Sequence, residues 1–274
     1  MKRTSRDFHL FADYHTHTRY SHGTGTVLEN VLAASAAGLR EVAITDHGPA
    51  NLFGVGVRNL SAFARIRADV EAACALLPDM RILVGVEANV IDTRGTLDVP
   101  DEVLSELDIV LVGLHPMVHT RGWRAAGELV GLNLLAKAGT GLARRARHLN
   151  TAALVAAVEK HDVDIITHPG LHLPVDTREL ARACAARQTA LEINAGHGNV
   201  TPGFVKVAAR EGAFFCINSD AHRPTDVGKL ETGVRVAIEA GLDLDHILNA
   251  EAPEPAKRRE GPPWIKGLVR RLVR

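Results

Sequence analysis

The stretch Asp13-Tyr14-His15-Thr16-His17-Thr18 follows an apolar run, Phe8-His9-Leu10-Phe11-Ala12, that reads as a β-strand. Residues two apart on a strand point to one side. His15 and His17 therefore project together from the strand's C-terminal end, an arrangement that suits a transition metal. A lone pair of histidines is weak evidence, but polar residues recur at the ends of the later strands. Glu41–Thr45 runs into Asp46-His47-Gly48-Pro49, Arg81–Val86 into Glu87, Asp108–Leu114 into His115-Pro116, and Val163–Thr167 into His168-Pro169-Gly170. Thr189–Ile193 then runs into Asn194, and Ala213–Asn218 into Ser219-Asp220-Ala221-His222.

Helical patterns separate these strands, over Val27–Ala37, Ser61–Leu77, Pro100–Glu106, Thr151–Lys160, Thr177–Arg187 and Pro202–Glu211, with two more over Asp226–Ala240 and Asp243–Asn249. Seven strand-then-helix units predict an α/β fold with a parallel sheet. In a barrel, the C-terminal strand ends form one ring around one mouth. In an open sheet the same residues would line a row too long for one site. The expected fold is therefore a TIM-like barrel of seven rather than eight strands.

The barrel is expected to occupy residues 1–250, with residues 117–149 as a partly helical insertion near its mouth. That insertion is basic, carrying Arg121, Arg124, Lys137, Arg144, Arg145 and Arg147 against Glu128. Residues 251–274 read as a linker followed by a basic amphipathic stretch, Trp264–Arg274, that suits weak docking on an anionic membrane or a protein. Packing on its own barrel or on a second copy in a homo-oligomer is the more usual fate of such a stripe.

The chain has 274 residues, 46% of them hydrophobic, enough for one large core. Its 32 basic and 32 acidic residues cancel, so no overall field draws it to nucleic acid, and 4% aromatic content leaves no stacking platform for one. Cys74, Cys184 and Cys216 are scattered and odd in number, which implies core residues rather than a disulfide framework. No apolar signal region opens the chain, and no run reaches the ~18 apolar residues of a membrane span. A cytoplasmic protein is expected.

The candidate ligands are His15, His17, His22, His47, Glu87, His115, His168, Asp220 and His222. They are too many for one tetrahedral ion and suit two or three ions with open positions, of Zn²⁺, Mn²⁺ or Fe²⁺. Ions about 3.5–4 Å apart clamp the oxygens of a displacement at phosphorus and acidify a water that serves as nucleophile. Hydrolysis of a phosphate ester follows. Of the other histidines (His9, His119, His148, His161, His172, His197 and His246), only His197 is placed to support a ligand from behind. Among the loop cations Arg19, Arg58, Arg121, Arg124, Arg223 and Lys229, Arg58 is the first candidate for the substrate phosphate. Asp46 is placed to orient a ligand or a water.

The motifs Asp13–Thr18, Thr45-Asp46-His47-Gly48, Val86-Glu87-Ala88-Asn89, Leu114-His115-Pro116, Thr167-His168-Pro169-Gly170 and Asn218–His222 resemble those of the PHP (polymerase and histidinol phosphatase) family, from about residue 12 to 250. Thr-Asp-His-Gly-Pro and Val-Glu-Ala-Asn look closest to its small stand-alone phosphatases. The resemblance implies a distorted (βα)7 barrel, a trinuclear metal cluster, with zinc the first choice of ion, and phosphoesterase activity. It implies one ion on His15, His17, Glu87 and Asp220, a second on Glu87, His115 and His168, and a third on His22, His47 and His222. The expected reaction is hydrolysis of a small phosphomonoester. The competing readings are a phosphodiesterase or exonuclease-like hydrolase, an amidohydrolase, and a non-catalytic metal-bound scaffold.

Overall fold

The computed structural model describes residues 9–252. The tail from residue 253, with its expected amphipathic stretch, lies outside the described residues.

The N-terminal apolar run forms two short strands rather than one: β1 (His9–Leu10) and β2 (Ala12–Asp13). They separate because Phe11 turns its backbone to other partners. Its N–H donates to Asn249 O at 3.1 Å, and its carbonyl accepts from Arg40 N at 2.8 Å and Glu41 N at 3.1 Å. β2 then opens a seven-stranded sheet with β3 (Glu41–Ile44), β4 (Arg81–Asn89), β5 (Ile109–Gly113), β6 (Ile165–Ile166), β7 (Ala190–Asn194) and β8 (Phe214–Asn218). Every neighbouring pair is parallel and the order follows the chain. The helices α1 (Val27–Ala36), α2 (Ser61–Leu76) and α3 (Asp101–Leu104) fill the first crossovers.

Strand alternation divides the core. Leu83, Ile109, Leu111, Ile165, Ala190 and Cys216 pack together inside the barrel, while Val42, Ile44, Val84, Val110, Ile166, Leu191 and Phe215 pack outward against the helices. Further along the inward rows stand Glu87 on β4, Glu192 on β7 and Asn218 on β8. The same period-two pattern that builds the apolar plug thus delivers polar groups to the mouth.

The seam between β2 and β8 closes at both ends. At the mouth, Thr16 bridges Ala221 in parallel, with His17 N–H donating to Ala221 O at 2.8 Å. At the opposite end the Asn249 side chain donates to Ala12 O (2.9 Å) and Ile217 O (2.7 Å) and accepts from Ile217 N–H (3.0 Å). This use of Asn249 corrects the helix expected over Asp243–Asn249: a 3₁₀ turn at Leu244–His246 gives way to the extended β9 (Ala250–Glu251), which pairs antiparallel with β1.

The insertion is helical throughout most of its length. After α4 (Gly122–Ala125) come a π-helical turn at Ala126–Gly131, α5 (Leu132–Leu135) and α6 (Thr140–Lys160). The helix expected to start at Thr151 therefore begins at Thr140, so residues 140–149 belong to a crossover helix. A reciprocal amide pair, Asn133 with Asn150 at 2.8 and 2.9 Å, ties the insertion to α6. Then follow α7 (Thr177–Arg187), α8 (Pro202–Arg210) and α9 (Glu231–Ala240). The last is shorter than the expected Asp226–Ala240, because Pro224–Asp226 forms a separate 3₁₀ turn. Among the described residues no helix is long and apolar enough to cross a membrane.

Candidate metal centre

Glu87 is the hub of the mouth. It is fully buried, and its Oε2 lies 2.7 Å from His47 Nδ1, 3.3 Å from His15 Nε2 and 3.7 Å from His17 Nε2. Its Oε1 lies 2.8 Å from His168 Nε2 and 3.3 Å from His115 Nε2, and accepts from Thr167 Oγ1 at 2.7 Å. The crowding is possible because the residue beside it is glycine. A Cβ on Gly113 would stand 2.5 Å from His115 Cε1 and 2.8 Å from Glu87 Oε1. Asp220 closes the other side, with Oδ1 3.2 Å from His17 Nε2 and 3.4 Å from His15 Nε2. Two of these residues, His168 (φ 27°) and Asp220 (φ 56°), hold backbone conformations that non-glycine residues rarely adopt, a cost that tends to gather at functional sites.

Three of the rings, His115, His222 and His22, are turned so that Nδ1 is bonded outward and Nε2 is left free of that bond. His115 Nδ1–H donates to Asn89 Oδ1 at 2.7 Å. Asn89 is itself oriented, because its amide donates to Asp98 Oδ2 at 2.7 Å and to Asn51 Oδ1. His222 Nδ1–H donates to the Asp220 carbonyl at 2.9 Å, and His22 Nδ1–H to the Val55 carbonyl at 3.2 Å. A neutral imidazole protonated at Nδ1 presents a lone pair at Nε2. Those lone pairs point where a cation would sit.

Electrostatics favours the same conclusion. Burial, and then the neighbouring imidazoles of His222 and His47, lower His22 to about 4. Burial and His47 hold His17 well below the usual histidine range. Both rings are thus neutral at pH 7. Burial would raise the Glu87 carboxyl, but the imidazoles of His47, His15, His115 and His168 override it and hold it well below the carboxylate range. His15 and His168 are the exceptions: burial disfavours their charge, but Asp220, Glu192 and Glu87 together push His15 well above the usual range, and Glu87 first among the same carboxylates raises His168. The pocket draws positive charge to its centre.

Buried polar atoms without hydrogen-bond partners are rare and call for an explanation. Here His15 Nε2, His17 Nδ1, His47 Nδ1, Glu87 Oε2 and His222 Nε2 are all in that state. His47 Nδ1 and Glu87 Oε2 approach to 2.7 Å without hydrogen-bonding geometry, so neither atom satisfies the other. A shared cation satisfies that geometry. Among the described residues, three sets have ligand atoms within 4.8 Å of one another: His15, His17 and Glu87; His47, Glu87 and His115; and His17, His47 and His222.

All nine expected ligands therefore converge. The grouping differs from expectation in that His47 lies against Glu87, and His17 rather than His22 falls within ligand distance of His47 and His222. His22 is nearby, with ring centroids 4.1 Å from His222 and 4.9 Å from His47. Among the described residues the Asp46 side chain hydrogen-bonds Thr18 and Ser21 rather than a ligand side chain. It accepts from Thr18 N (2.8 Å), Thr18 Oγ1 (2.7 Å), Ser21 N (3.1 Å) and Ser21 Oγ (2.5 Å), and so holds the loop that carries His22. His197 Nε2 stands 3.2 Å from Asp220 Oδ2, behind that ligand. Of the loop cations, Arg124 pairs with Glu128, while Arg223 and Lys229 both pair with Asp226. Arg58 is exposed, one residue past Val57, whose N–H donates to the His47 carbonyl at 3.0 Å.

Glu192 was missed in the sequence. It is fully buried and accepts from His15 Nδ1 at 2.7 Å and from the His168 backbone N–H at 2.7 Å. The available signal was a charge inside the apolar strand Ala190–Asn194, in register with Asn194 two residues on.

A parallel barrel carrying buried imidazoles and carboxylates at its C-terminal mouth defines a metal-dependent hydrolase. Residues 13–167 match the PHP domain. The chain is 31% identical over 252 residues to a probable phosphatase of Thermoanaerobacter sp. (strain X514), covering 88% of this chain and 91% of that one. It is 30% identical over 247 residues to a probable phosphatase of Acetivibrio thermocellus, covering 86% and 90%. In fold it is similar to the histidinol phosphate phosphatase of Lactococcus lactis, with a TM-score of 0.55 and 18% identity over 85% of this chain and 94% of that one. The chain belongs to the PHP family, and it is a metal-dependent phosphoesterase.

Proposed function

We propose that the protein hydrolyses small phosphomonoesters with three divalent ions held by His15, His17, His22, His47, Glu87, His115, His168, Asp220 and His222. The observation that carries this reading is the set of buried, unpartnered donor atoms around Glu87, an all-nitrogen-and-oxygen set suited first to zinc and next to manganese or iron. Ions bound there would supply positive charge to the phosphoryl oxygens and acidify water. The relatives named as phosphatases support a phosphoester substrate, and the lactococcal enzyme was solved with zinc, L-histidinol and phosphate.

The chain's own residues have distinct parts to play. Glu87, with one oxygen toward each ligand group, holds the groups at fixed spacing. Asp46 fixes the loop bearing His22, and Arg58 meets the substrate phosphate at the rim. Three unpaired cysteines support a reducing, cytoplasmic setting.

The first experiment is metal content per chain in gently purified protein, followed by a substrate panel. About three ions per chain and turnover of small monoesters well above diesters and amides are expected. Less than one ion after reconstitution, or preference for a diester or an amide, would overturn the reading.

A further inference from the structure

The four hydrogen bonds to Glu192 constrain more than its own position. Oε1 accepts from His15 Nδ1 (2.7 Å) and Asn218 Nδ2 (3.0 Å); Oε2 accepts from His168 N (2.7 Å) and Asn194 Nδ2 (3.0 Å). Three of the donors are fixed independently. His168 N–H belongs to the backbone. Asn218 must point its amide nitrogen at Glu192, because its Oδ1 accepts from Tyr14 N–H at 3.1 Å. Asn194 must do the same, because its Oδ1 accepts from His197 N–H at 2.8 Å. Its amide also reaches Asp220 Oδ2 at 3.0 Å. Both oxygens are thus engaged by fixed donors, and the site suits an acceptor-only carboxylate.

The remaining contact is then decided. His15 Nδ1 carries a proton toward Glu192, so in the neutral ring that an ion would require, the Nε2 lone pair stands 3.3 Å from Glu87 Oε2 and 3.4 Å from Asp220 Oδ1. We propose that Glu192 is a positioning residue that sets the His15 tautomer and, through the same carboxylate, the backbone of His168. It thereby ties the ligand group of His15, His17, Glu87 and Asp220 to that of Glu87, His115 and His168. This inference rests on reading those residues as metal ligands.

Glu192→Gln probes it because an amide has one acceptor oxygen where the carboxylate has two. The backbone N–H of His168 cannot become an acceptor, so the oxygen stays there and the new NH₂ faces His15 Nδ1. The ring can satisfy that donor only by carrying its proton on Nε2, where the lone pair toward the ion is lost. Asn218 Nδ2 is left as an unpaired donor on the same side.

The test compares full-length wild type and Glu192→Gln by zinc titration with elemental analysis, and by long-range ¹H–¹⁵N spectra of the His15 ring in zinc-loaded protein. The variant is expected to bind one zinc fewer per chain, or to bind it about 10–100-fold more weakly, while its circular dichroism stays native. The wild-type ring is expected to carry its proton on Nδ1 with Nε2 shifted as a metal ligand. Unchanged stoichiometry and affinity in the variant would overturn the role of Glu192 alone. A wild-type ring protonated at Nε2 would overturn it even if the variant fails to fold. Wild type that binds no zinc would instead sink the ligand assignment, and this inference with it.

Discussion

Arg58 and Glu192 sit at opposite limits of what one residue reveals in a sequence. Arg58 was legible as a candidate because it stands in the glycine-rich loop after the second motif, and the structure leaves it exposed at the rim without an ion pair among the described residues. A charge-assisted bond to phosphate contributes about 1.5–3 kcal/mol. Arg58→Ala should therefore lower kcat/KM by about tenfold or more, mainly through KM, with metal content unchanged; steady-state kinetics with saturated metals at an unchanged kcat/KM would remove Arg58 from the site. Glu192 was not legible because its neighbours, Leu191 and Ile193, make the strand read as core. Nothing in the linear order says that this carboxylate faces His15, which lies 177 positions earlier. The histidines were legible because each follows a strand and the strand ends converge by topology alone.

At the scale of elements, the clearest readings are those where a local signal and the tertiary structure agree. α7 runs Thr177–Arg187 as expected, because Asp176 caps it by accepting from Arg178 N and Glu179 N, and Gln188 ends it in a left-handed conformation. Agreement fails where a distant partner competes for the backbone. Helical spacing over Asp243–Asn249 loses to the seam, where Asn249 satisfies Ala12 O and both backbone groups of Ile217. The Asn249 amide stands in for strand pairing that β2, two residues long, cannot supply at that end. Asn249→Ala would leave three buried backbone groups unpaired, and should cost at least about 3 kcal/mol given a penalty of about 1–3 kcal/mol per orphaned group. Urea denaturation is the measurement. A loss below about 0.5 kcal/mol would show that the seam closes without that side chain.

Across the whole molecule, the centre draws one consequence from the charge of its interior. Glu87, Glu192 and Asp220 lie within the barrel mouth at 0%, 0% and 8% exposure, and among the described residues their ion-pair partners are all histidines. Buried carboxylates destabilise a fold unless paired and hydrogen-bonded. His15, pushed up by those three groups, compensates part of that charge. Divalent cations would compensate more, since they also engage the unpartnered nitrogens of His17, His47 and His222. The protein should therefore be more stable with metal than without. A site filled at about 100 times its Kd contributes about 2.7 kcal/mol, and each kcal/mol moves Tm by about 2–4 °C in a domain of this size. Chelation should lower Tm by at least about 5–10 °C, and adding back Zn²⁺, Mn²⁺ or Fe²⁺ should restore it in the order of their affinities. Calorimetry on full-length protein before and after complete metal removal tests this. An unchanged Tm after verified removal would mean that the histidines already neutralise the interior, and that the barrel folds around its carboxylates without needing the ions.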